Sequence, residues 1–476
     1  MKIQGIPQNA LRTPPGLSLR HQNRNSATNR EIAMKASCGL LCILCTCLVS
    51  CSVATEASDV PTPVDIETYR ADVAVAWNER ILDLAIAEDG LLTLKGVRTL
   101  SMLHVSMHDA LNTIQAAYAP YGYDVETADA DPIAAAAQAA YQVAVDQYPE
   151  ARDLLTEELN RWLDTVDDGP TKRAGVALGK ASAAAILVQR ANDSWNAEGE
   201  YNWRPMGPGV YAGFSEHSGT PEGFVFGAGW AGVEPFMLTE QHQFRSPPPP
   251  QINSDAYAQA YDEVKDVGRF ESTSRSADQT HLAMWWKDFA ENSHNRLART
   301  LAQDRDLNLW EASRMFALLN MTLCDAYISV FDNKFHYNHW RPYTAIRAAA
   351  EDGNPNTTAD ATWDNLHGHT YAFPSYPSAH GTASAAAMTI LEGVFGDSFA
   401  FTMTTAEVDR AGPLSGKVAM DPPTRAFESF REAAMECAMS RVYLGIHFRY
   451  DSEEGYRLGR QIGDYAWDNF LRLRLE

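Results

Sequence analysis

Apolar residues recur at helical spacing through almost the whole chain after residue 63, and no other feature of the sequence limits its fold as much. The pattern runs through residues 73–87, 97–114, 132–145, 151–166 and 172–191. It resumes at 254–267, 276–303, 309–330, 343–350, 378–395, 425–443 and 451–474. Period-two alternation is nearly absent, so the expected class is all-α: a large helical bundle assembly with long ordered loops. One stretch, residues 195–250, has neither period. It is rich in Gly, Pro and aromatics and closes in Pro247-Pro248-Pro249-Pro250. It reads as an ordered crossing loop that packs over helices or shapes a mouth, the plainer alternative being a linker. The expected organisation is a targeting region at 1–51, a tether at 52–63, an N-terminal helical part at 64–250 and a C-terminal catalytic domain at 251–476.

The first 50 residues carry a net charge of +5, which leaves −27 on the remainder of a chain whose total is −22. So acidic a body repels nucleic acid and anionic lipid surfaces, and an anionic ligand needs a local cluster of cations. Beyond the N-terminal region no apolar run looks long enough to cross a bilayer, which excludes a polytopic membrane protein.

Cys38, Cys42, Cys45, Cys47 and Cys51 crowd one short apolar stretch that follows Met34-Lys35. A basic start, an apolar segment and a small residue before Cys51 are the pattern of an export signal, similar to bacterial lipoprotein signals in which Cys51 would carry the lipid. A plain secretory signal or a short buried helix is the alternative. Met34 makes a better start than Met1. The protein is therefore expected to be exported, periplasmic or at the cell surface, and held to membrane only through Cys51. Two further cysteines, Cys324 and Cys437, permit one disulfide and exclude a disulfide-rich scaffold.

Three segments set cations or hydrogen-bond donors beside a proline or a helix start: Lys334 to Arg341-Pro342, Pro377-Ser378-Ala379-His380-Gly381, and Ser440-Arg441 through His447 to Asp451. Lys334, Arg341 and Arg441 bring fixed charge, the arginines as planar forks that donate to two oxygens at once. Ser378 is placed to cap a helix beginning at Ala379, so that free backbone N–H groups and the positive end of the helix dipole face a bound anion. His447 follows a break at Leu444-Gly445, and Asp451, four residues on, is placed to accept its ring N–H. Asp451 also precedes Glu454 by three residues, a capping-box spacing, and the two roles are compatible. His380 is the candidate acid/base.

Lys, six residues, Arg-Pro, then Pro-Ser-Gly-His, then Ser-Arg, five residues, His, three residues, Asp: this order resembles the vanadium haloperoxidase and PAP2 phosphatase superfamily. Ala379 is the one departure. The family's glycine donates its backbone N–H to the oxyanion, and alanine keeps that N–H while adding a methyl at the pocket. Ala76-Trp77-Asn78, residues 104–112 and residues 340–347 extend the resemblance, diffusely, to larger bacterial vanadium-haloperoxidase-like proteins. It implies that Lys334, Arg341, Ser378, Ala379, Arg441 and His380 surround vanadate or phosphate. His447 would be the axial vanadium ligand, or the nucleophile of a phosphatase. Phe373, seven residues before His380, stands where family members tune halide chemistry. Phe resembles the chloroperoxidase type and an ordinary core Phe is the alternative.

The remaining histidines are weaker signals. His104 and His108 have the i, i+4 spacing of a metal pair, but their helix is otherwise apolar and core packing is the better expectation. His336 and His339 lie between the motif cations, and His367 and His369 in a loop before the second motif. The leading expectation is a vanadium-dependent haloperoxidase with vanadate as cofactor, acting on hydrogen peroxide and a halide, iodide or bromide, to give hypohalous acid. A PAP2-type acid phosphatase acting on phosphate esters with no cofactor is the alternative. A non-catalytic oxyanion-binding surface lipoprotein is the alternative of another class.

Overall fold

The computed structural model describes residues 64–474 apart from 90–93, 126–128, 198 and 413–414. The export signal, the Cys51 lipid site, the Met34 start and the tether fall outside the described residues. Val60–Glu476 forms one compact unit.

Among the described residues there are fourteen helices. The first five are α1 (Asp72–Asp89), α2 (Leu94–Ile114), α3 (Pro132–Gln147), α4 (Arg152–Leu163) and α5 (Pro170–Gln189). A single turn, α6 (Ser215–Ser218), interrupts the crossing segment. There follow α7 (Asp255–Val267), α8 (Ala277–Trp285), α9 (Ala290–Asp304), α10 (Leu309–Tyr337) and α11 (Pro342–Ala348). The last are α12 (Ala379–Phe395), α13 (Phe430–Tyr443) and α14 (Arg449–Asn469). The helix starts follow local chemistry: Asp131, Ser254, Ser276, Asn308 and Ser429 each accept a first-turn amide, and Pro170 opens α5. α10 is the axle. It packs on α2 on one side and on α12 on the other, and one continuous apolar core takes residues from both sides of residue 250.

Four expectations change. First, α10 is long and apolar enough to span a membrane, but 94% of its most apolar window is buried inside the protein, which is why it is so apolar. Second, the helix expected over 276–303 is two, α8 and α9, separated by Trp286–Phe289. Trp285, the last residue of α8, meets Trp286 edge to face at 4.8 Å, both fully buried. Third, the start of the helix expected at 425 is a strand. β1 (Phe401–Thr404) pairs antiparallel with β4 (Thr424–Phe427), and β2 (Glu407–Asp409) with β3 (Lys417–Ala419). Phe401 and Phe427 face each other in the core, and helix α13 waits for the Ser429 cap. Fourth, Cys324 and Cys437 are both free and buried.

Two glycines set the close crossing that matters most. A Cβ on Gly455 would lie 2.5 Å from the Ser378 carbonyl oxygen and one on Gly459 2.2 Å from that of Thr382, so α14 can lie directly against the start of α12 only with glycine there. The main chains meet where the Ser378 amide donates to the Asp451 carbonyl at 2.9 Å.

Candidate functional site

Each of the three motif segments delivers its side chains from the end of a helix. Lys334 sits in the last turn of α10, which stops at Asn338 in the left-handed conformation, φ +54°. Arg341 is the residue before α11, with Pro342 in the first turn. Ser378 caps α12, its Oγ accepting from the Gly381 amide at 3.3 Å, so the α12 start at Ala379 faces the same space. Arg441 lies in the last turn of α13. The chain then reverses at Gly445, φ +82°, where a Cβ would lie 2.3 Å from the Gly268 carbonyl oxygen. That reversal frees His447 from the helix.

His447 is almost fully buried, and its two nitrogens are in different company. Nδ1 lies 2.9 Å from Asp451 Oδ2, and Nε2 lies 3.0 Å from Arg341 Nη1. A carboxylate must accept and a guanidinium must donate, so the ring is neutral with its proton on Nδ1 and a lone pair on Nε2. Burial, then the charges of Arg341, Lys334 and Arg441, holds the His447 pKa far below the ordinary range. Asp451 Oδ2 also accepts from the Phe448 amide at 3.1 Å and from the Ser375 hydroxyl. Its capping role is thus at the third residue of α14, with Phe448 at the cap, and not as the cap residue facing Glu454. Burial pushes the Asp451 carboxyl up to about 6, against the Ser375 hydroxyl, Lys334, the Phe448 amide and Arg341.

The cations are held by carbonyls. Lys334 Nζ donates to Pro374 O at 2.9 Å and Ser375 O at 2.7 Å, Arg341 to Phe373 O at 2.9 Å and Ile446 O at 3.0 Å, and Arg441 Nη1 to Trp286 O at 2.8 Å. Arg341 Nη2 and Arg441 Nε remain buried with no hydrogen-bond partner. Buried guanidinium donors left over in this way fit an oxyanion. Phe373 lies against two of the cations, its ring centroid 5.1 Å from Lys334 Nζ and 4.8 Å from Arg341 Cζ. His380 is half-buried. Its Nε2 lies 3.1 Å from the Asp288 carbonyl, and desolvation, then Arg441, keeps its pKa far below the usual range.

Phe373, Ala379, His380, Arg441 and His447 line a cavity of about 680 Å³. Sequence reasoning did not single out Ser375, which touches both His447 and Asp451, or the Trp286 and Asp288 carbonyls, which no residue type announces. His369 lines the cavity, while His367 is buried beside it at 5.2 Å. His336 is exposed, and His339 is buried against the Tyr450 hydroxyl at 2.7 Å. His104 stacks on Phe316 at 4.8 Å and His108 meets the Ala119 carbonyl at 3.0 Å, both in the core.

Residues 314–475 match the second helical-bundle domain of vanadium chloroperoxidases, and that stretch runs from α10 to α14, carrying all three motif segments. The chain is vanadium-haloperoxidase-like. Vanadium chloroperoxidase of Curvularia inaequalis is 25% identical over 272 residues, 46% of this chain. The aligned part spans only 44% of that relative's length. Among solved structures, the first bacterial vanadium-dependent iodoperoxidase superposes with a TM-score of 0.70 at 22% identity, covering 87% of this chain and 99% of that one. A holo-type bacterial vanadium-dependent chloroperoxidase gives 0.59 at 17% identity, over 78% and 90%. At these identities the structural likeness establishes a vanadium-haloperoxidase-like helical fold.

Proposed function

We propose that this vanadium-haloperoxidase-like chain is a vanadium-dependent haloperoxidase that oxidises a halide, iodide or bromide, with hydrogen peroxide to hypohalous acid. One observation carries the reading: a neutral His447 with its Nε2 lone pair turned toward Arg341, beside leftover guanidinium donors on Arg341 and Arg441. Lys334, Arg341, Arg441, Ser378 and the amide of Ala379 would hold the oxygens of vanadate and His447 Nε2 its metal. Vanadate, when bound, supplies the Lewis acid that polarises hydrogen peroxide toward attack by halide. The residues do the rest. Asp451 and Ser375 fix the tautomer of His447, as a carboxylate orients a ligating histidine elsewhere. The three cations would draw charge from the oxygens of a bound oxyanion, and being already buried they would need no reorganisation to do so. His380, neutral and lining the cavity, would accept and return a proton of hydrogen peroxide.

The full chain, stripped of metal and then given orthovanadate, is assayed for triiodide and for bromination of a dye with hydrogen peroxide. Vanadate-dependent turnover that phosphate suppresses supports the proposal. Hydrolysis of an aryl phosphate, blocked by vanadate and without halide oxidation, overturns it in favour of a phosphatase. We also propose export with lipid attachment at Cys51, on the strength of the basic, then apolar, N-terminal pattern. A Cys51→Ser variant should leave the membrane fraction, and an unchanged distribution refutes the anchor.

A further inference from the structure

The cavity is far larger than the proposed small substrates require. It measures about 680 Å³, whereas a water molecule, close in size to peroxide or a halide, takes up about 30 Å³. Its size is that of a site for an organic ligand. The chemistry-bearing residues occupy one wall. Another wall comes from the crossing segment that showed no helical or strand period: Trp195, Phe224, Phe226 and Trp230. This wall is built in place. The Phe226 amide donates to Ala372 O at 2.9 Å, one residue from Phe373, and Gly227 has φ +78° with the Phe331 ring 2.5 Å from where a Cβ would be. The Phe226 ring itself stands 6.1 Å from that of Phe373. Phe224, by contrast, is 44% exposed and stands at the opening.

Charge narrows the occupant. Among the described residues that line the cavity there is no carboxylate, and of the two cations Lys95 is already paired with Glu88 at 2.6 Å. Arg441 belongs to the oxyanion pocket, so the rest of the lining carries no free charge. A charged ligand finds nothing to pair with, whereas a neutral aromatic finds four aromatic faces and the hydroxyls of Ser218 and Thr220. We propose that this cavity binds an electron-rich aromatic acceptor of the phenol class beside the oxyanion pocket, so that halogen is transferred to a held substrate. This deepens the haloperoxidase reading and rests on it for the transfer step, though not for binding. The balance is simple. Halide, hydrogen peroxide and a proton give hypohalous acid and water. The aromatic carbon then takes the halogen, its C–H bond breaks, and the departing hydroxide takes that proton to leave a second water.

The test uses 2-naphthol as probe, with the full chain and no vanadate, and follows binding by tryptophan fluorescence. Saturable binding that weakens about two- to tenfold in Phe224→Ala and Phe226→Leu, the scale of one aromatic contact, is expected. With vanadate, peroxide and bromide, the same variants should raise KM for 2-naphthol by the same factor, while triiodide formation, which needs no organic acceptor, stays at the parent rate. Absence of saturable binding, or equal affinity in parent and variants, overturns the acceptor site whatever the halide assay gives. Binding without triiodide formation overturns the haloperoxidase reading and keeps the aromatic site. Phe224 is on the surface, so its variant folds even if Phe226→Leu does not.

Discussion

Replacing Asp451 by Asn tests whether His447 acts through a directed lone pair or only as part of a positive pocket. The substitution keeps shape and leaves an amide oxygen able to accept from His447 Nδ1, now 2.9 Å from the carboxylate. Two effects follow, of opposite sign. Removing a negative charge roughly 8 Å from a bound anion, at an effective dielectric of about 20, favours any anion by about 2 kcal/mol. Exchanging a charged acceptor for a neutral one weakens the hold on the imidazole by about 1–1.5 kcal/mol. The first effect is common to phosphate and vanadate. The second is felt only by the ligand that bonds to Nε2, and loss of such an outer partner commonly costs about 10–100-fold in affinity. The ratio of the vanadate Kd to the phosphate Kd should therefore rise at least about tenfold in Asp451→Asn, even if both constants fall. Calorimetric titration of each anion, with circular dichroism to verify folding, measures it. An unchanged ratio refutes a directed role for His447.

Arg341→Lys keeps charge but cannot reproduce the fork that holds Phe373 O and Ile446 O while aiming Nη1 at His447, so phosphate affinity should fall about 10–100-fold by calorimetry. Ala379→Gly restores the glycine of related motifs without changing the amide, and phosphate affinity should stay within about fivefold, with at most about 1 kcal/mol lost from the helix start in a denaturant titration. Burial lowers the His104 pKa from 6.5 to about 3. Below pH 6.5 the unfolded chain takes a proton that the folded one refuses, so stability is lost as pH falls from 6.5 toward 3. At pH 5 this amounts to roughly 2 kcal/mol. His104→Gln should flatten the decline in urea unfolding midpoints between pH 7 and pH 5, and a parallel slope would contradict it.

How much was legible follows from where the information sits. Ser378, Lys334, Arg341 and Arg441 could be singled out because an oxyanion pocket draws on residue types that stand out in helical sequence, at helix ends that proline, serine or glycine mark. His447 and Asp451 are four apart, so their contact could be anticipated locally. The break at Trp286–Phe289 could not, because its residues are apolar enough to continue a helix. What halts it is tertiary: Arg441 claims the Trp286 carbonyl and His380 the Asp288 carbonyl. The β1–β4 hairpin was hidden for a related reason. Four-residue strands carry too little alternation to compete with a helical period that begins just after them. The crossing segment could be recognised as ordered from its aromatics, yet which of them faced a cavity depended on contacts more than 100 residues away, such as Phe226 with Ala372.

The way the cations are paid for in this acidic chain leads to a last prediction. A buried Arg or Lys is ordinarily paired with a carboxylate, because an uncompensated charge away from water is costly. That is how Arg98 and Arg190 are held here, both on Asp193. Lys334, Arg341 and Arg441 are instead held by main-chain carbonyls, which satisfy hydrogen bonds but cancel little net charge. Asp451 is near enough for its charge to act on Lys334 and Arg341, but its hydrogen bonds go to His447, Ser375 and Phe448 and to none of the three cations. The anion-free fold therefore holds unrelieved repulsion that a bound oxyanion removes. Phosphate at a hundred times its Kd should stabilise the protein by about 2.7 kcal/mol, and Tm should keep rising with the logarithm of its concentration. Chloride at equal ionic strength should not reproduce this, since one spherical charge cannot meet donors that converge from α10, α11, α12 and α13. If chloride and phosphate raise Tm alike, the effect is general screening and the carbonyl-held cations are not an oxyanion site.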